Sequence, residues 1–443
     1  MSYLSTILFI IILVLGFGFF ILNIKKIIRN IKLGQKLDRF DHPSDRWKNM
    51  AMIALGQSKM VKRPVAGILH IIVYVGFVII NLELLEIIID GLFGTHRVFS
   101  FLGGFYDFLI ASFEILAFLV LVAVIVFYSR RNIINLKRFI HSDLKGWPKS
   151  DANYILYFEM VLMSLFLVMN AADFHLQYLP GGFGHYNQVG SFPISQFIAP
   201  IFNGMSASVV LLIERGAWWL HIIGILIFLN YLYFSKHLHI LLAFPNTYFA
   251  NLKPQGQFDN LESVTKEVKL MMDPNADPYA AAPIDENVVP AKFGASDVQD
   301  LNWVQLLNAY TCTECGRCTS SCPANQTGKK LSPRKIMMDT RDRLVEVGKN
   351  IDANKGVFVP DNKTLLNDYI SPEELWACTS CNACVEECPV NISPLSIIMD
   401  MRRYLVMEQS AAPMPLNAMM TNIENNGAPW QYNQQDRLNW KNE

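Results

Sequence analysis

Apolar positions in this chain are gathered before about residue 245, in runs too long for the helices of a soluble core. Five stretches are long enough to span a bilayer: 3–23, 65–89, 106–128, 154–172 and 207–235. The first does not read as a signal peptide: its apolar run is too long, no basic residue precedes it, and Lys25 and Lys26 follow it. Residues 253–298 lose all apolar period and carry Pro254, Pro274, Pro278, Pro283 and Pro290, which predicts an extended tether. Helical patterning resumes at Asp300–Tyr310, and a polar stretch, 346–372, interrupts the C-terminal helical region. The pattern predicts a membrane all-α protein. A five-helix bundle occupies 1–245, a linker 246–299, a mainly helical domain 300–410 and a polar tail 411–443.

Charge refines this picture. The formal net charge is +0, which gives nucleic-acid binding no electrostatic support and leaves membrane lipid as the large partner. Basic residues are distributed unevenly. Eleven lie between the first and second stretches and six between the third and fourth, against only Arg97 in the two other connections. By the positive-inside rule the N-terminus lies outside a prokaryotic cytoplasmic (inner) membrane and the C-terminal domain lies in the cytoplasm. Charges within the stretches include Glu83, Glu86, Glu114, Glu159, Glu214 and Arg215. Most read as interface-facing, while Glu114 and Glu159 lie deep enough to serve a proton path or a quinone site.

All eight cysteines fall into two copies of C-x2-C-x2-C-x3-C-P: Cys312, Cys315, Cys318, Cys322 and Cys378, Cys381, Cys384, Cys388. In this spacing three thiolates hold one [4Fe–4S] cluster and the fourth crosses to the other. Cys312, Cys315 and Cys318 therefore pair with Cys388, and Cys378, Cys381 and Cys384 with Cys322. A disulfide scaffold or a zinc site fits less well, because no cysteine lies outside the pattern and zinc uses C-x2-C pairs. Each run is followed by S-P-x-x-I-x-M-D-x-R, beginning at Ser332 and Ser393. Both read as an N-cap with proline at the first helical position, with Ile and Met on the buried face of the helix. The repeat is read as structural.

Histidine within a membrane span calls for a reason. His70 lies early in the second stretch, His221 near the middle of the fifth, and His237 and His239 at its end. His221 and His239 are eighteen residues apart, five turns of a continuing helix, so both would face one way. His70 and His239 share a depth and can hold a haem b between two helices. Ten residues after His70 the chain offers Ile80, so His221 lacks an obvious partner; Asn81, Glu83 and His175 are weak substitutes. His237 reads as interfacial. His42, His96, His141 and His185 lie in polar loops without a role.

The segments Leu69-His70-Ile71, Leu220-His221 and Phe234–Ile240 resemble the cytochrome b (gamma) subunit of membrane-bound nitrate reductase. That resemblance implies His70 and His239 as ligands of one haem, with His221 belonging to a second whose partner is missing. The whole chain resembles heterodisulfide reductase-like membrane iron–sulfur oxidoreductase subunits, on the stretches Leu306–Cys318 and Glu373–Cys381. It implies an electron-transfer subunit between a cytoplasmic redox partner and menaquinone or another quinone, with no catalytic residue of its own for a primary substrate. Implied partners are a CCG-type cysteine-rich iron–sulfur protein, an electron-transfer flavoprotein or a dehydrogenase. The sequence contains no nucleotide fingerprint. The alternative is a membrane iron–sulfur protein for redox sensing or cofactor assembly without quinone turnover.

Overall fold

A computed structural model describes residues 3–180, 183, 184, 186–275 and 292–442; His185, Pro278, Pro283 and Pro290 lie outside the described residues. Among the described residues, five helices are long and apolar enough to cross a membrane: Tyr3–Ile31, Pro64–Phe93, Gly104–Asn132, Trp147–Gln177 and Ala207–Phe234. These are spans one to five. They close a ring in chain order, each packing on its neighbour and span one meeting span five. Contact is close where side chains vanish: a Cβ on Gly91 of span two would run into the Phe9 ring of span one. Leu4, Leu15, Leu22, Leu82 and Leu212 project outward from the ring, as lipid contact requires.

Span five does not continue as a helix to His239. Its regular helix ends at Tyr231, a 3-10 turn covers Leu232–Phe234, and Ser235 is extended (φ −112°, ψ 148°). Asp151 of span four sets this break. Its carboxylate accepts from Tyr231 Oη at 2.6 Å, Ser235 Oγ at 2.7 Å and the Lys236 amide at 3.1 Å. The chain resumes as a turn over Lys236–Leu238 and a helix over His239–Tyr248.

The C-terminal part is helical too, and no strand occurs among the described residues. Helices Trp303–Thr311, Pro333–Ala353 and Pro394–Met407 form its frame. The repeat serines cap the latter two, accepting from the Lys335 and Ser396 amides. Residues 346–353, expected within the polar interruption, complete the helix from Pro333. The loop after it is drawn back by Arg343, wholly buried between Asp297 (2.8 Å) and Asp361 (2.9 Å). Part of the expected tether is also ordered, as the helix Glu262–Met272.

The two halves share one apolar core. Ile27, Phe228 and Leu238 from the bundle pack with Leu306, Ile336 and Ile397. Helix His239–Tyr248 lies against helix Trp303–Thr311. Ion pairs surround this seam: Arg29 with Asp352, Lys62 with Glu386, Arg63 with Glu387 at 2.9 Å and Arg334 with Asp143. The C-terminal half thus covers the basic loops, while loops 94–103 and 178–206 lie at the far end of the ring.

Candidate functional site

The two cysteine runs share a backbone conformation as well as a spacing. Glu314 and Ser380, each two residues after the first cysteine, have φ +55° and +56°. Gly316 and Asn382, each following the second cysteine, have φ +73° and +61°. Non-glycine residues adopt this region at a cost, so the matched pairs mark a loop shape both runs need. Amides of Ser380 and Ile392 donate to the sulfurs of Cys378 (3.4 Å) and Cys388 (3.3 Å). Cys322, Cys378, Cys381 and Cys384 line one small cavity. Cys388 lies instead beside Cys315 and Cys318. The chain thus brings the runs together in the crossed sense. Among the described residues no three potential ligands converge on a single metal ion, whereas a four-iron cube spreads its thiolates over four corners. Burial pushes the Cys312 and Cys384 thiols up to about 12 and Cys388 to about 11.

The repeat arginines hold these loops. Arg402 donates to the carbonyls of Leu375 (2.6 Å) and Cys378 (2.5 Å). Arg341 reaches Glu314 at 2.7 Å in the first run. Sequence reading gave the repeat no chemistry; its arginine is the loop anchor. The first run faces the bundle: Lys236 ion-pairs with Glu314, and Arg317 donates to the carbonyls of Lys59 and Met60 at 3.1 Å, just before the span that carries His70. Burial alone would raise the Glu314 carboxyl, but Lys236 and Arg341 hold it below its ordinary value. Burial pushes the Lys236 ammonium down. Cys381, in the second run, is exposed.

His70 and His239 meet beneath the first run, their ring centres 6.4 Å apart and their planes at 41°. Two imidazoles on opposite sides of one metal, each bonded at about 2 Å, have centres roughly 6 Å apart. His239 Nδ1 lies 3.2 Å from the Lys236 carbonyl, which leaves Nε2 for a ligand. His70 Nδ1 is buried without a hydrogen-bond partner. The donor set and spacing therefore fit a haem iron. The broken helix did not separate the pair, because the turn at Lys236 re-aims His239. The same turn sends His237 inward, against Phe228 (5.3 Å) and to 3.8 Å from Glu159, so it is not interfacial.

His221 lines a separate cavity of about 100 Å³ in mid-bundle, with Ile80, Asn81, Glu83 and Glu159. Its Nδ1 lies 3.1 Å from the Leu162 carbonyl. That volume is below the roughly 300–1,000 Å³ of sites for drug-sized ligands, so the cavity suits a single ring better than a second haem. His175 is not among its lining residues and packs edge-on to Phe202.

Glu83, Glu86 and Glu214 are buried rather than interface-facing, at 3% exposed or less, and Glu114 is buried as its depth implied. Burial without water forces each toward a partner. Glu86 accepts from Tyr106 Oη (2.9 Å) and the Phe99 amide (2.8 Å). Glu114 accepts the Ile194 and Ser195 amides, pinning that part of the connection into the ring. Arg97, expected only as a loop charge, is buried and binds Asp173 Oδ2 at 2.7 Å and Asn170 Oδ1 at 2.9 Å. His96 lies 3.8 Å from Asp173. A histidine and an arginine side by side in an otherwise apolar connection were the signal for this network.

Residues 311–392 match the 4Fe-4S dicluster domain family. The chain is 30% identical, over 99% of its own length and 61% of the other, to a probable iron–sulfur-binding oxidoreductase, FadF, of Bacillus subtilis. It is 27% identical to an EtfAB:quinone oxidoreductase of Syntrophomonas wolfei, over 92% of this chain and 55% of that protein. It is also 33% identical to one subunit of a ferredoxin/F(420)H(2)-dependent CoB-CoM heterodisulfide reductase of Methanosarcina acetivorans, over 24% of this chain and 52% of that one. The chain thus spans less than two thirds of the length of these relatives. No solved structure matches. The chain is thus similar to iron–sulfur oxidoreductases and to a heterodisulfide reductase subunit, and among its described residues five helices long and apolar enough to cross a membrane precede a 4Fe–4S dicluster domain.

Proposed function

We propose that this chain carries electrons between a cytoplasmic redox partner and the quinone pool, with its dicluster half on the cytoplasmic face. Cys312, Cys315, Cys318 and Cys388 hold the cluster nearer the membrane; Cys378, Cys381, Cys384 and Cys322 hold the outer one. His70 and His239 hold a haem b, in a bundle of the nitrate reductase gamma type. When bound, these groups supply one-electron chemistry. The chain supplies their order: Cys381 opens to the surface, the Cys312–Cys318 loop abuts the bundle, the histidine pair lies beneath it, and the cavity at His221 takes a quinone ring. The basic loops 24–64 and 130–149 support the cytoplasmic orientation, although several of their charges also pair with the dicluster half. Partners of the kinds expected from sequence, a CCG-type protein or an electron-transfer flavoprotein, dock where Cys381 is exposed.

The observation that carries this reading is the 6.4 Å spacing of His70 and His239 directly under the Glu314–Lys236 contact. Haem b per chain, by pyridine haemochrome on purified protein, tests it. One haem is expected, lost in His70→Ala and in His239→Ala while cluster absorbance persists. A wild-type chain without haem sinks the reading and favours redox sensing or cofactor assembly.

A further inference from the structure

The cavity at His221 and the polar network at the far end of the ring share one acidic side chain. Glu83 lines the mid-bundle cavity with His221 and Glu159. It also lines a second, smaller space with His96, Arg97, Asp173 and Glu214. It is 2% exposed; Oε1 lies 3.7 Å from Arg97 Nη1, and Oε2 is buried with no hydrogen-bond partner. Of the other carboxylates, Glu86 is committed to Tyr106 and Phe99 and Asp173 to Arg97, while Glu114, whose Oε1 is also buried without a partner, spends Oε2 on two loop amides and lines neither space. A carboxyl group with one oxygen on an arginine and one open is held in place yet can still exchange a proton. Glu159, the cavity's other acid, stands toward His237 at the opposite side, away from this network.

We propose that Glu83 is the proton carrier between the mid-bundle cavity and the membrane face opposite the dicluster domain. This rests on the quinone reading above. For each O–H bond formed on a quinone oxygen, the Glu83 carboxyl O–H breaks, and the carboxylate is reprotonated from the far face past Asp173 and His96. Two electrons, delivered one at a time from the iron–sulfur side, and two such protons give the quinol; quinol oxidation runs the same transfers backward. Electrons and protons therefore reach the ring from opposite faces, so turnover moves charge across the membrane.

The test uses the full chain in liposomes with a pH dye trapped inside. Membrane-impermeant dithionite reduces only chains whose dicluster domain faces outward; excess reductant is removed and menadione added. Expected are reoxidation of the cluster absorbance with alkalinisation of the lumen, a rate loss of about 100-fold in Glu83→Gln, and a near wild-type rate in Glu83→Asp, with cluster and haem contents unchanged throughout. Proton uptake from the external medium overturns the proposal and leaves the quinone reading standing. So does a wild-type rate in Glu83→Gln, or equal loss in Glu83→Asp. If menadione does not reoxidise the wild-type clusters, the quinone reading itself falls and this inference with it.

Discussion

The carbonyl of Lys236 lies 3.2 Å from His239 Nδ1, and the ammonium of the same lysine meets Glu314, two residues after Cys312. One residue therefore positions a haem-ligand candidate through its backbone and a cluster loop through its side chain. Lys236→Met keeps the backbone contact and leaves Glu314 buried with Arg341 alone. Removing one partner of a buried pair costs about 3–5 kcal/mol. A lower thermal midpoint is expected, with slower cluster-to-haem equilibration by stopped-flow absorbance. Unchanged values for both would show that the clasp is dispensable.

The crossed arrangement of cysteines makes an asymmetric prediction. Cys388→Ser should lose the cluster nearer the bundle and Cys322→Ser the outer one, each leaving roughly half the iron. Electron paramagnetic resonance of the reduced proteins should then give two different single-cluster spectra. Haem reduction by an external donor should stop in both variants. A Cys388→Ser spectrum that matches Cys378→Ser rather than Cys312→Ser would refute the crossing.

Docking of the halves should respond to acid. Asp143 accepts from Arg334 Nε at 3.1 Å and Ser332 Oγ at 2.8 Å, and its side chain is 4% exposed. Burial pushes its carboxyl up, but these donors outweigh burial and hold it below its ordinary value. For a depressed carboxylate, the stabilisation is complete above the unfolded value of about 3.9 and is lost as pH falls through the folded value. Below about pH 4, wild-type protein should therefore lose thermal stability more steeply than Asp143→Asn. Asp143→Asn should itself be less stable at pH 7, both read by thermal melts in detergent.

Loop shape can be tested at matched positions. Gly316 has φ +73°, and a Cβ there would fall 2.5 Å from Arg334 Nη1. Gly316→Ala should destabilise by about 1–3 kcal/mol and lower cluster occupancy. Asn382→Gly, at φ +61° in the second run, should be tolerated, since glycine adopts this conformation freely. Iron content and thermal midpoints separate the two outcomes.

Much of this architecture could be read from residue order. The number and order of the spans follow from apolar run length, although the helices outrun it, to Ile31 in the first and from Trp147 to Gln177 in the fourth. The cluster loops follow from cysteine spacing. Pairing of His70 with His239 was anticipated from equal depth, although the argument assumed a helix that Asp151 in fact interrupts. That interruption was illegible because it depends on a carboxylate 84 residues away from Ser235. The span carboxylates were misjudged for a related reason. Position along a helix gives depth, but whether Glu83 or Glu86 faces lipid or the ring interior depends on how the helices pack. Loop basicity, read as a topology signal, also serves docking through Arg29, Lys62 and Arg63.

The apolar core common to both halves has a mechanical consequence. Some redox proteins swing a tethered domain between donor and acceptor, so that diffusion of the domain limits the rate. Here Asn308 donates to Asn246 at 3.0 Å and accepts from the Ser393 amide at 2.8 Å, and Asn246 donates to the Val390 carbonyl at 2.7 Å. Those bonds lock helix His239–Tyr248, which follows the fifth span, to the segments flanking both cysteine runs. Such a body has no shuttle stroke: separations between its redox sites are constants of the fold, and solvent viscosity should not enter the internal transfer rate.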